Sequence, residues 1–153
     1  MNKLTIEAKP LIVFDGETTG LNTKSDEFIQ LAISKLTHDG SVIRKEWKFC
    51  PRCNIHPKAE AVHGYKKEDL YEYPHFEEHA SEIFEFVDGC IYAGYNSDTF
   101  DFPLLRTQLL IWGFEIPEDV EKLDVYLLVK KMMSQSLENM FEVMTGNKPV
   151  KAH

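Results

Sequence analysis

Unbroken apolar runs alternate along the chain with stretches patterned at helical spacing, and the two predict different elements. Leu11-Ile12-Val13-Phe14 is apolar without a break, the pattern of a central strand covered on both faces. It is expected to stop at Asp15, where Gly16, Thr18, Thr19 and Gly20 supply polar, permissive backbone. Phe28 to Thr37 and Val42 to Phe49 read as two more strands, joined through His38-Asp39-Gly40, whose Asp-Gly is a hairpin signal. Together the three make an antiparallel meander. From Pro74 onward, Phe76, Ala80, Ile83, Phe84 and Val87 recur at helical spacing, with Glu77 and Glu78 in the first turn and Gly89 as the stop. Ile91-Tyr92-Ala93 is a short buried strand, and Pro103 suits the first turn of a helix running to about Trp112 with Asp101 near its N-terminus. Helices are expected again from Asp124 to about Met133 and from Leu137 to about Thr145, the second with Leu137, Met140, Phe141 and Met144 on a core face. This order of elements predicts an α/β or α+β domain with one mixed sheet.

The chemistry is concentrated where the first strand ends. Residues i and i+2 of a strand share a face, so Asp15 and Glu17 can turn toward one ion. Paired carboxylates on a rigid strand suit magnesium or manganese, which prefer oxygen ligands and keep places for water and phosphate. An Asp-Gly turn alone would require neither Glu17 nor the two threonines after it.

Two motifs at the right separation, with a further stretch between them, extend this reading. Phe14-Asp15-Gly16-Glu17-Thr18-Thr19-Gly20-Leu21, the stretch Ile55 to Gly64 with a short acidic helix from Lys66 to Leu70 after it, and Gly94-Tyr95-Asn96-Ser97-Asp98-Thr99-Phe100-Asp101 resemble the DEDDh group of 3′-to-5′ exonucleases. Ala152-His153 matches the opening of that group's third motif, and the resemblance runs from about residue 10 to the last residue. Tyr95 stands where many relatives carry His, and the third-motif Asp would fall five residues beyond His153. The expectation is therefore a single exonuclease domain over residues 1–153, ending within the third motif. Its fold would be a ribonuclease H-like mixed five-stranded sheet flanked by helices, with the C-terminal helix missing.

The resemblance implies roles as well. Asp15 would bridge two Mg2+ or Mn2+ ions, Glu17 would bind the ion bearing the attacking water, and Asp101 would help hold the ion beside the leaving group. His153 would be the general base, a task its near-neutral titration suits. Thr18, Leu21 and Asn96 would contact the terminal nucleotide of a single-stranded DNA or RNA 3′ end. Plain alternatives stand beside these: Asp101 as a helix cap, Asn96 as a loop residue, Leu21 as core. His63-Gly64 is read as a structural turn. Tyr65, Tyr71, Tyr73 and Tyr92 could stack on bases, but without basic residues interleaved among them they are read as packing or surface residues.

Composition narrows the partners. The 153 residues are 43% hydrophobic, enough for one core. Lys plus Arg number 17 against 25 for Asp plus Glu, a net charge of −8, the opposite of the footprint of a protein that grips long duplexes by their phosphates. A site holding a few nucleotides at one strand end tolerates this, because bound metal inverts the local charge. The charged stretch Met1 to Glu7, the lack of 18 consecutive apolar residues and an odd count of three cysteines predict a cytoplasmic protein with no membrane partner. Homo-oligomerisation and a polymerase partner stay open. Cys50-x-x-Cys53 with His56 is a weak zinc pattern, since a structural site needs four ligands; a loop after a strand is the simpler reading. With the fourth acid outside the chain, activity is expected to be weak or absent. A non-catalytic module that binds strand ends or a partner is the alternative.

Overall fold

The computed structural model describes residues 9–94 and 100–124. Asn96, His153, all of the helix predicted from Leu137 and all but the first residue of that predicted from Asp124 lie outside them. Five strands form one mixed sheet in the order β3-β2-β1-β4-β5: β1 Leu11–Thr18, β2 Phe28–Leu36, β3 Val42–Lys48, β4 Ile91–Gly94 and β5 Lys122–Asp124. The β1, β2 and β3 strands make the expected antiparallel meander, whereas β4 runs parallel to β1 and β5 parallel to β4. The helices are α1 Pro57–His63, α2 Ala80–Val87 and α3 Asp101–Ile111.

The β1 strand departs from its pattern in two ways. It does not stop at Asp15, because the ladder to β2 continues through Asp15 opposite Ala32 and Glu17 opposite Gln30, ending at Thr18 opposite Phe28 after an irregularity. Nor is it covered on both faces. Ile12 and Phe14 are buried, but Val13 is 44% exposed, so the run of four apolar residues obeys ordinary strand alternation. On the buried face Phe14 meets Tyr92 edge-on, Tyr92 meets Phe102 of α3, and Trp47 meets Phe86 of α2. Asp15 and Glu17 fall on the opposite face.

Other differences follow from local chemistry. The helix expected from Pro74 begins as a 3-10 turn, Phe76–Glu78, and becomes α-helical only at Ala80. Gly89, at φ 71°, follows its end in a conformation that suits glycine. The α1 helix was not expected. Its signals are nonetheless present: Pro57 in the first turn, His56 as N-cap accepting from Lys58 N–H, and Gly64 at φ 77° as C-cap. Lys122–Asp124 is a strand where a helix was to begin at Asp124; three residues are too few to show a period, and pairing with β4 decides their conformation. This short edge strand supplies the fifth member of the sheet.

Candidate active site

The sheet changes direction at β1, which has an antiparallel neighbour on one side and a parallel one on the other. In open sheets such a reversal leaves a crevice at the carboxyl ends of the parallel strands. A cavity of about 480 Å³ lies there, walled by Gly16 to Thr18, Gly20 and Leu21 from the end of β1, by His56, Lys58, Ala59, Val62 and His63 from α1 and its cap, and by Phe100 and Asp101 at the start of α3.

Backbone and side-chain bonds fix these walls. Gly16 is required at the base: a Cβ there would sit 2.5 Å from the Phe28 ring and 3.2 Å from the Gln30 carbonyl. The loop after β1 is knitted by Asp26, whose carboxylate accepts from Thr19 Oγ1 and from Asn22 N–H, both at 2.8 Å. The α1 helix is pinned to the end of β1 at two points. His56 N–H donates to the Thr19 carbonyl at 2.7 Å. Tyr65 N–H donates to His63 Nδ1 at 3.0 Å, which leaves the ring proton on Nε2, and Nε2–H donates to the Thr18 carbonyl at 3.0 Å. His63 is thus more than a turn residue, since it joins two walls of the cavity. At the third wall, Gln108 of α3 is buried and its Oε1 accepts from Phe28 N–H at 2.8 Å, which holds α3 against β2.

Leu21 is 86% exposed and Val62 83% exposed, and both line the cavity. Leu21 is therefore not core, and Val62 is a second exposed apolar lining residue that the sequence reading missed. Its place on a short helix between Pro57 and Gly64 was the available signal. Thr18 is buried and its hydroxyl donates to the Gly20 carbonyl at 2.9 Å, so the hydroxyl is committed within the loop.

Asp101 is brought to Asp15 and Glu17. Its carboxyl is pushed up from the ordinary 3.8 to about 6, first by burial and then by the charges of Asp15 and Glu17. A position in the first turn of a helix favours the charged form, so burial and the two neighbouring acids outweigh the helix dipole here. Asp101 does not cap α3, because it is the first residue of the helix and Phe100 holds the cap position. Among the described residues no three His, Cys, Asp or Glu side chains converge closely enough to cage an ion. The donor set is all hard oxygen and carries excess negative charge, so a divalent cation fits it; Asp15, Glu17 and Asp101 are the residues that would hold one.

Cys53 and His56 are engaged within their own loop. Cys53 Sγ lies 3.2 Å from Thr19 Oγ1, and its thiol is pushed up to about 11, chiefly by burial. His56 Nδ1 caps α1, and the Arg52 and Cys53 N–H groups bind the Glu27 carboxylate at 2.9 and 2.8 Å. The loop reading holds for these residues.

A mixed five-stranded sheet with its site at the reversal of strand direction defines a ribonuclease H-like α/β fold. Its likeness to solved structures agrees. E. coli Exonuclease I bound to single-stranded DNA in a metal-free form superimposes with a TM-score of 0.75 at 17% identity, over 86% of this chain and 31% of that one. The same enzyme with a dT13 oligonucleotide gives a TM-score of 0.69 at 17% identity, over 86% and 30%. The family profile described as Exonuclease (RNase_T) matches residues 12–153, and the chain belongs to this DnaQ-like 3′-to-5′ exonuclease family. The 3′-5′ exonuclease DinG of Bacillus subtilis is 30% identical over 115 residues, which is 74% of this chain and 12% of the relative. The PolC-type DNA polymerase III of Staphylococcus aureus is 32% identical over 104 residues, 67% of this chain and 7% of the relative. The chain thus spans about a tenth of the length of these curated relatives.

Proposed function

We propose that the chain is a metal-dependent 3′-to-5′ exonuclease domain that removes mononucleotides from single-stranded or frayed ends, with magnesium or manganese as its ion. The observation that carries this reading is the approach of Asp101 to Asp15 and Glu17 at the rim of a cavity that exposes Leu21 and Val62. Acids suited to phosphate chemistry stand beside apolar surfaces suited to a base. The cavity lies within the usual range of small-molecule sites, about 300–1,000 Å³. A terminal base placed between Leu21 and Val62 exchanges stacking on its neighbour for apolar contact on both sides, a mode that tolerates any base. Lys58 at the wall offers a cation to a phosphate oxygen.

Asp15, Glu17 and Asp101 would hold divalent ions, which when bound stabilise charge on the attacking and leaving oxygens of a phosphodiester. His63 and Gln108 keep the walls in place, so that the ester is presented to the acids in one orientation. By its place in the family pattern, His153 is assigned as the base that takes a proton from water, and Asn96 as a polar contact to the nucleotide.

The test is a 5′-labelled single strand incubated with the protein and Mn2+, followed on a denaturing gel. Slow stepwise shortening from the 3′ end is expected, lost when Asp15→Ala and Glu17→Ala are combined. Shortening that survives the double substitution would remove these acids from the site. A wild-type protein that binds the strand in Mn2+ without shortening it would favour the end-binding module.

A further inference from the structure

Tyr65 and Tyr73 are not free of basic residues once the chain folds. Lys48, the last residue of β3, places its ammonium 5.3 Å from the centre of the Tyr65 ring and 5.7 Å from that of Tyr73. Cations held over aromatic faces are attracted by the ring quadrupole, so two rings fix this ammonium at one point. The sheet register ties that point to the acids. Glu17 pairs with Gln30, and Gln30 pairs with Lys48, which puts the three on one face in a row across three strands. At about 4.8 Å per strand, Lys48 lies roughly 10 Å from Glu17 along the sheet.

Neighbouring groups hold this arrangement. Tyr65 donates its hydroxyl to Gln30 Oε1 at 2.9 Å, and Gln30 Nε2 donates to Glu46. Glu46 also faces Arg44 at 3.6 Å, so the carboxylate on β3 whose charge reaches Lys48 is shared with a second cation. Tyr65 is part of the same turn as His63, whose ring lines the cavity 5.5 Å from the Tyr65 ring. Two half-exposed rings around a fixed cation therefore continue directly from the cavity wall.

We propose that Tyr65, Lys48 and Tyr73 form a second station for single-stranded nucleic acid, in which Lys48 meets a phosphate and the tyrosines offer stacking faces to bases outside the cavity. Aromatic faces interleaved with cations are the combination by which proteins track a single strand without reading its sequence. The separation from Glu17 suits a phosphate one or two nucleotides from the ester at the acids. A strand long enough to leave the cavity reaches this station; a mononucleotide does not.

This proposal rests on the exonuclease reading of the cavity, and the experiment separates the two. Binding of thymidine 5′-monophosphate and of an eight-nucleotide oligo(dT) is measured in Mg2+ for the wild type, Lys48→Gln, Lys48→Arg and Tyr73→Ala, with melting temperatures recorded for each. The octamer carries a phosphorothioate at its 3′ linkage to slow hydrolysis. Lys48→Gln and Tyr73→Ala are expected to weaken octamer binding three- to tenfold, Lys48→Arg to restore it, and mononucleotide binding to stay within twofold throughout. Equal octamer binding by all four proteins overturns the second station and leaves the cavity reading intact. Equal losses for octamer and mononucleotide overturn it too, since they would place Lys48 and Tyr73 in the support of the cavity. A wild type that binds neither ligand overturns both readings.

Discussion

Asp101 carries a conflict between fold and site. Its carboxyl is pushed up to about 6 by burial and by Asp15 and Glu17, so the folded chain without metal binds a proton more readily than the unfolded one between about 4 and 6. The stability from this group is therefore fully present below about pH 4 and is lost as the pH rises through 6. Asp101→Asn removes that penalty. In EDTA, the stability difference between variant and wild type should grow from near zero at pH 4 to a plateau above pH 6.5, with the variant more stable. The plateau should stand at about 1 kcal/mol once the solvent that still reaches the carboxyl is allowed for. Thermal melts of both proteins across pH 4 to 8 check it, and a constant difference across that range would show that the Asp101 carboxyl is not raised on folding. The same substitution should abolish metal-dependent strand shortening, because the carboxyl whose burial costs stability is the one proposed to hold an ion.

At the scale of elements, the site depends on how α3 and α1 are tied to the meander. Gln108 is a buried polar residue of α3 that supplies an acceptor to Phe28 N–H at the first residue of β2. Gln108→Leu keeps the volume and orphans that N–H. It should cost about 1–3 kcal/mol in urea denaturation, and it should weaken metal binding as well, since Asp101 leads the same helix; unchanged stability would mean the strand end finds water instead. Nothing in the sequence marked Gln108, because one polar residue on a helix face does not disclose a partner eighty positions away. The meander was legible for the opposite reason: a hairpin signal at Asp39-Gly40 and local strand pairing set it. Asp15, Glu17 and Asp101 were legible as motifs, and alternation correctly put the first two on one face. Val62 was not, because a seven-residue helix between Pro57 and Gly64 is defined by its caps rather than by any period. Lys48 with its two tyrosines was invisible for a further reason, namely that 17 and 25 positions separate it from rings that only the fold brings together.

For the molecule as a whole, charge decides how a strand would be held. Twenty-five acidic residues against 17 basic ones do not attract nucleic acid over long range, so on the proposed function affinity would come from apolar contact, a divalent ion and a few local cations. Lys48 and Lys58 are two such cations placed at or beside the cavity. Each phosphate neutralised on a single strand contributes about −0.7 to the slope of log affinity against log salt. Two contacts predict a slope of about −1.4, shallow beside that of a basic strand-binding protein. Fluorescence anisotropy with a phosphorothioate-ended octamer, titrated from 50 to 300 mM KCl at fixed Mg2+, measures it directly. Lys48→Gln should flatten the slope by about 0.7, while EDTA should lower the affinity at least tenfold at every salt concentration. A steep wild-type slope, or affinity indifferent to EDTA, would mean that the strand follows a cationic surface away from Asp15, Glu17 and Asp101.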